Sequence, residues 1–138
     1  MLWSHMYPVL VRFGILFLDF VIYWQHRTFH RFSILWRIHL MHHVDSDVDV
    51  TTALRFHPVE IFLSALLKIA AVLVSGVPAA AVLIFEVILS GSAMFNHGNV
   101  RIPAAVDSLL RACVITPDVH RVHHSTKLNE VHSNYGFF

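Results

Sequence analysis

Three apolar segments alternate with two polar, histidine-rich segments along the chain. The apolar segments cover about residues 7–24, 58–76 and 78–96. Each is long enough to cross, or nearly cross, a hydrocarbon core ~30 Å thick as an α-helix. The second and third segments are separated only by Gly76-Val77-Pro78, which indicates a tight turn. The pattern therefore predicts an all-α integral membrane bundle of about three spanning helices, the last two forming a hairpin.

The two polar segments, residues 26–57 and 97–132, are expected on one face of the membrane, because two consecutive spans return the chain to the side that it left. Eight cationic residues lie in them: Arg27, Arg31, Arg37, Arg55, Arg101, Arg111, Arg121 and Lys127. The hairpin tip carries no charge, so the positive-inside rule predicts that this face is cytoplasmic. A chain of 138 residues is expected to form a single domain over residues 1–138.

Composition supports the bilayer as the solvent and excludes several classes of protein. Hydrophobic residues make up 56% of the chain and charged residues 14%, with a formal net charge of +1, so nothing indicates a nucleic-acid partner. The one cysteine, Cys113, can form neither an internal disulfide nor a thiolate metal cluster. Zinc-finger, ferredoxin and disulfide-rich secreted folds are thereby excluded.

Histidine is the unusual residue, and most of the twelve histidines fall into spaced groups. The groups are His26/His30, then His39/His42/His43, and finally His120/His123/His124. These spacings of three and four residues would place the rings of each group on one face of a helix. The hairpin should also bring His57 and His97 to its mouth, beside the other groups, while His5 and His132 are expected to be surface residues.

Such a set of side chains has the chemistry of a metal site. Imidazole donors without sulfur suit iron, zinc, copper or nickel, whereas magnesium and calcium prefer oxygen. Eight or nine nitrogens exceed what one ion can hold, so two metal ions with a position left for a reacting ligand are expected. The spacing alone does not distinguish iron from zinc.

Several short motifs carry a resemblance to a known family. They are Asp19-Phe20-x-x-Tyr23-Trp24-x-His26-Arg27-x-x-His30, Leu35-Trp36-Arg37-x-His39-x-x-His42-His43, Arg55-x-His57-Pro58-x-Glu60, Asn96-His97-x-Asn99, Thr116-Pro117-x-x-His120-Arg121-x-His123-His124-Ser125 and Asn134-Tyr135-Gly136. Together they resemble the fatty acid hydroxylase / sterol desaturase superfamily from Asp19 onward. In that superfamily further membrane helices precede the first motif and a Trp-Asp segment follows the last, so a fragment or short member is expected.

The resemblance implies an integral membrane non-haem di-iron oxidoreductase. Such an enzyme uses dioxygen and electrons from an external donor, such as a cytochrome b5-like protein, a ferredoxin or a reductase, to hydroxylate or desaturate a sterol, fatty acid or related lipid. By position, the implied iron ligands are His26, His30, His39, His42, His43, His120, His123 and His124, with His97 as an additional ligand. No catalytic residue beyond the ligands is implied. For His57, a helix-start role and a role behind the ligands stand beside metal binding as alternatives.

Two other functions fit parts of the pattern. A zinc-dependent intramembrane hydrolase would use a metal-bound water with Asp118 or Glu60 as base, but it needs only three or four ligands. A metal transporter would place histidines at mid-span along a pathway rather than on one face. The surplus of histidines favours the di-iron oxidoreductase, and the residues fit hydroxylation and desaturation equally.

The hairpin contains one further regularity. Lys68 and Glu86 each lie nine residues from Val77, so two antiparallel helices would hold them at the same depth, near the bilayer centre. A lone charge is costly there. The sequence therefore predicts a Lys68–Glu86 ion pair.

Overall fold

A computed structural model describes residues 2–45 and 47–137 of the chain. The described residues form seven α-helices and one short 3₁₀ helix, Val50–Leu54, and no strand occurs among them. The α-helices are α1 Leu2–Arg31, α2 Ser33–His39, α3 Pro58–Ser75, α4 Ala79–Asn96, α5 Ala104–Leu110, α6 Pro117–His123 and α7 Leu128–Val131. The all-α prediction is confirmed.

Helix α1 is longer than the segment 7–24 predicted from hydropathy. It runs without interruption to Arg31, and a candidate membrane span covers Ser4–Arg31. The apolar pattern stops near Trp24, but His26 and His30 continue the helix because their rings are buried among other histidines. The helix therefore connects the bilayer directly to the histidine-rich region.

Helices α3 and α4 form the predicted hairpin. His57 caps α3 by accepting the backbone N–H of Val59 at Nδ1 over 3.1 Å, and Pro58 occupies the first turn, where no N–H is needed. At the other end Gly76 adopts the left-handed conformation with φ 67°, which glycine tolerates best. The bounds agree with the predicted spans 58–76 and 78–96 within one residue.

The core of the bundle lies where α1 crosses the hairpin. Leu18 and Ile22 of α1 pack against the turn residue Val77 and against Ala81 and Phe85 of α4. Gly14 permits this approach, since a Cβ atom there would lie 2.6 Å from a methyl carbon of Val77. Because Gly14 has no side chain, α1 can contact the hairpin turn directly.

Three helices are long and apolar enough to cross a membrane: Ser4–Arg31, Pro58–Ser75 and Ala79–Asn96. Their outer surfaces carry exposed apolar side chains, of which Val74 is 89% and Leu73 77% accessible. Such a surface is favourable against lipid and costly in water. Together with the relatives described below, these spans assign the chain to a membrane.

The predicted ion pair is present in the hairpin. Lys68 Nζ donates to Glu86 Oε1 over 2.6 Å, joining α3 to α4.

Helix α2 folds back along the end of α1, and α6 contacts the end of α4. Both histidine-rich regions therefore lie at the open end of the hairpin, away from Gly76.

Candidate metal centre

Nine histidines converge at the open end of the hairpin in two groups. The five-histidine group contains His26, His30, His39, His43 and His123, and the four-histidine group contains His42, His97, His120 and His124. Within each group, one nitrogen of every ring lies within 4.8 Å of the others. All are buried except His43, which is partly buried. These are the nine residues that the sequence nominated as ligands.

Each predicted triplet is divided between the two groups. His39 and His43 belong to the five-histidine group while His42 belongs to the four-histidine group. The second triplet divides in the opposite sense, because His123 joins the five-histidine group and its neighbours His120 and His124 join the other. The groups adjoin, with the rings of His43 and His124 stacked at a centroid distance of 4.2 Å.

The expectation that both triplets lie on helices is only partly correct. Helix α2 ends at His39, and His42 and His43 follow in turns whose backbone N–H groups bond three residues back. These tighter turns change the direction of the rings, which explains how His42 reaches a different group from His39. The second triplet is closer to the prediction, since α6 contains His120 and His123 and its C-cap is His124.

Backbone carbonyls orient several of the rings through Nδ1. His26 lies 2.9 Å from Tyr135 O, His97 2.6 Å from Ala93 O, and His123 2.5 Å from Ser133 O. His42 makes the same contact with Arg55 O at 3.3 Å. A carbonyl oxygen can only accept, so Nδ1 carries the proton and donates it. The Nε2 atom of each of these rings consequently presents a lone pair.

The lone pairs on Nε2 of His42 and His97 face each other at short distance, as do those on His26 and His123. In the four-histidine group, Nε2 of His97 lies 3.1 Å from Nε2 of both His42 and His124, and 3.0 Å from Nε2 of His120. In the five-histidine group, Nε2 of His123 lies 3.0 Å from Nε2 of His26. Facing lone pairs repel, whereas a cation between them would bind both. The donor set therefore fits metal ions.

Burial keeps the imidazoles in the neutral form that a metal requires. It lowers the pKa of His39, His42 and His120 well below the ordinary imidazole value, and neighbouring histidines lower each pKa further. Burial, followed by the effect of His97, lowers the pKa of His124 to about 3. Burial and neighbouring histidines also depress the pKa of His43 and His123, and burial alone depresses that of His97 against the opposing hydrogen bond to Ala93 O. Protonation does not compete with metal binding near neutral pH.

Two residues outside the nine hold ligand rings in place. Glu60 Oε1 accepts the Nδ1–H of His39 over 2.7 Å, with both side chains buried. Nδ1 of His132 lies 3.3 Å from Nδ1 of His30, although His132 itself is exposed. Carboxylates and other acceptors behind a ligand histidine fix its orientation. The sequence assigned His132 to the surface, and its exposure agrees, whereas the contact with His30 was not predicted.

The other sequence candidates lie outside the two groups. His57 caps α3 and is absent from both groups, in agreement with the helix-start role. Asp118, considered as a base, forms an ion pair with Arg121 on the surface of α6. Glu60 is engaged by His39.

A cavity of about 320 Å³ leads from the histidines into the membrane region. Its inner end is lined by His26, His39, His42 and His120. Its walls come from α1, α3 and α4, and its rim includes the exposed apolar side chains of Leu54, Ile61 and Met94. The cavity therefore joins the candidate metal centre to the lipid-facing surface.

The sequence is similar to those of several known proteins. The ornithine lipid hydroxylase of Rhizobium tropici is 31% identical over 140 residues, covering 97% of this chain and 40% of that protein. The alkylglycerol monooxygenase of Homo sapiens is 30% identical over 122 residues, covering 85% of this chain and 25% of that protein. The chain thus spans less than half the length of these relatives. No solved structure matches significantly. The profile of the fatty acid hydroxylase family matches residues 11–138, and the chain belongs to that family.

Proposed function

We propose that this chain is the metal-binding core of a membrane-bound non-haem di-iron oxidoreductase that uses dioxygen to hydroxylate or desaturate a C–H bond of a lipid. The observation that carries the proposal is the division of nine histidines, all buried except the partly buried His43, into adjoining groups of five and four. Two groups of this size match two metal ions that are six-coordinate or fewer, with positions left for oxygen. The domain is inferred to extend over residues 1–138.

The ligand set favours iron over the alternatives. The nine proposed ligands are His26, His30, His39, His42, His43, His97, His120, His123 and His124. A zinc hydrolase would be complete with one group, and the second buried group would have no purpose. A metal transporter would need ligands along the spans, whereas these histidines are gathered at one end. Neither alternative accounts for the full set.

Bound iron would supply the reduction of dioxygen by external electrons. In hydroxylation one oxygen atom enters the C–H bond and the other leaves as water. In desaturation the lipid loses two hydrogens and both oxygen atoms leave as water. Either reaction consumes two external electrons and two protons. The protein's own residues fix the orientation of the histidine rings through Nδ1 and exclude water from the centre. The cavity, which His26 and His120 help to line, would position a lipid carbon beside these two rings. Hydroxylation of a lipid is also what the name of the ornithine lipid hydroxylase describes.

The substrate and the electron donor are inferred to reach the centre from different sides. The apolar rim of the cavity suits a lipid entering from the bilayer, while the polar regions carry the arginines of the predicted cytoplasmic face. A soluble or membrane-attached donor, such as a cytochrome b5-like protein, a ferredoxin or a reductase, would deliver electrons on that face.

Metal analysis combined with lipid profiling tests the proposal. The chain, purified from membranes after growth with iron, is expected to contain about two iron ions and to show the Mössbauer spectrum of a coupled pair. Cells that express the complete gene should accumulate an oxygenated or unsaturated lipid in an oxygen-dependent manner. One zinc ion per chain, with no oxygen-dependent product, would contradict the proposal.

A further inference from the structure

Polar side chains line one wall of the cavity from the first turn of α3 to the middle of that helix. Glu60, Ser64 and Lys68 are spaced by four residues along α3, and all three line the cavity. Such spacing places them on one helix face. Gln25 of α1 donates to Ser64 Oγ, and Ser90 of α4 also lines the cavity. Polar groups within a span are costly, so their collection on a cavity wall points to a ligand.

The Lys68–Glu86 pair marks the membrane end of this wall. Lys68 lines the cavity, whereas Glu86 is not among the lining residues. Glu86 therefore contacts Lys68 from outside the cavity, and its carboxylate balances the charge of the ammonium over 2.6 Å. An ammonium has three N–H donors, and the contact with Glu86 uses one. The pair as a whole is neutral, so a second anion beside Lys68 would leave an uncompensated negative charge in apolar surroundings.

From these contacts, and resting on the proposed function, we infer that Lys68 donates a hydrogen bond to an uncharged carbonyl group, of an ester or amide, in the lipid substrate. The eight residues from Glu60 to Lys68 correspond to ~12 Å of helix. Since three bonds of an extended chain cover ~3.5 Å, the carbonyl lies roughly ten bonds from the carbon beside the histidines. Lys68 is thus a specificity-determining residue that selects carbonyl-bearing lipids.

Competition for a photoreactive probe tests this assignment without requiring iron. The full chain in lipid nanodiscs is labelled with a diazirine-bearing N-methylamide of a long-chain fatty acid. Unlabelled competitors of equal length are the N-methylamide, the free fatty acid and the alkane. One hydrogen bond from a charged donor predicts that the amide competes roughly tenfold better than the alkane. Equal competition, or stronger competition by the free acid, would overturn the inference.

Two variants separate recognition from folding. Lys68→Met/Glu86→Leu removes both charges together and should abolish the preference for the amide over the alkane. Glu86→Gln retains an acceptor for Lys68 but unbalances its charge, so the free fatty acid should become the better competitor. A purely structural ion pair would produce neither change. Retention of the amide preference in the double variant would refute the role of Lys68.

Ser75→Ala is the matched control. Ser75 lies on the same helix, bonds to the Ala71 carbonyl and is outside the cavity, so the wild-type order of competitors is expected. Each variant is compared after its elution profile and thermal transition have been shown to match those of a folded protein. Absence of iron or of oxygenated product would count against the proposed function alone, because labelling depends only on the cavity.

Discussion

Glu60 Oε1 accepts a hydrogen bond from Nδ1 of His39 over 2.7 Å, deep between α2 and α3. The contact turns Nε2 of His39 towards the five-histidine group, where Nε2 has no hydrogen-bond partner among the described residues. A carboxylate behind an imidazole fixes the ring and raises its basicity. Glu60 is therefore expected to act on the metal through His39.

Replacement of Glu60 should weaken metal binding without preventing insertion. Glu60→Ala removes the acceptor and is expected to lower iron affinity by about 10–100-fold, whereas Glu60→Gln retains an oxygen acceptor and should lose less. The iron that each of the two variants retains during titration with a chelator measures its affinity. Glu130→Gln, which alters contacts with Lys127 and Ser125 outside the two histidine groups, serves as the control. Wild-type retention in Glu60→Ala would show that the contact has no positioning role.

Loss of a ligand should affect the two groups unequally. His97→Ala leaves three histidines in its group, whereas His30→Ala leaves four in the other. Under a chelator challenge, His97→Ala is therefore expected to retain about one iron and His30→Ala to retain more, because fewer remaining donors bind less tightly. Both variants should lose lipid oxidation yet remain in the membrane fraction, since insertion depends on the apolar spans.

His5→Ala provides the reference for these variants. His5 is exposed on α1 and belongs to neither group, so its replacement should leave iron content and product unchanged. Equal iron loss from His97→Ala and His5→Ala would remove His97 from the ligand set. Full turnover in either ligand variant would contradict the metal assignment.

The convergence of the histidines could be predicted from the sequence because it follows from topology. Two spans joined by a short turn return the chain to one face, and equal distances from Val77 place Lys68 beside Glu86. The division of each triplet could not be predicted in this way. It depends on where α2 ends, and His42 and His43 lie in turns beyond that point.

The residues behind the ligands were also outside the reach of sequence patterns. His132 approaches His30 across 102 positions of the chain, and no periodicity relates the two. The contact arises because the segment after α6 folds over the end of α1, where Tyr135 O also accepts from His26. Local spacing identifies candidate ligands, whereas tertiary packing decides what supports them.

Acid should destabilise the metal-free histidine centre. The unfolded histidines titrate near 6.5, whereas burial lowers the folded pKa of His124 to about 3. Between these values the unfolded state binds more protons, so the stabilising contribution is complete above pH 6.5 and is lost as the pH falls towards 3. Each such histidine contributes a slope of up to ~1.4 kcal/mol per pH unit.

Trp36 can report this transition, because its ring lies 4.7 Å from that of His30 and 5.2 Å from that of His43. With Trp3 and Trp24 replaced by phenylalanine, Trp36 fluorescence in nanodiscs should change between pH 6.5 and 4. Loading with metal should move the change to lower pH, since bound metal opposes protonation. A fluorescence change centred near pH 6.5 in a chain that remains folded would contradict the lowered pKa values, because the buried rings would then titrate like free imidazoles.

The ion pair within the hairpin gives the last prediction. Lys68→Met leaves the carboxylate of Glu86 without its partner, and Glu86→Leu leaves the ammonium of Lys68 without its own, in surroundings that penalise a lone charge. Each single replacement should therefore lower the thermal stability of the extracted protein. The double replacement removes both charges and should recover much of the loss, with a coupling energy of ~1–3 kcal/mol.

A double-mutant cycle measured by thermal unfolding in one detergent tests this coupling. Ser75→Ala combined with Lys68→Met is the control pair, because Ser75 bonds only within α3 near the hairpin tip and its effect should add to that of Lys68. Lipid facing the pair screens less than water, so the coupling should persist when the salt concentration is raised, unlike that of a surface pair such as Lys127–Glu130. Strict additivity of the Lys68 and Glu86 losses would mean that the 2.6 Å contact does not stabilise the hairpin.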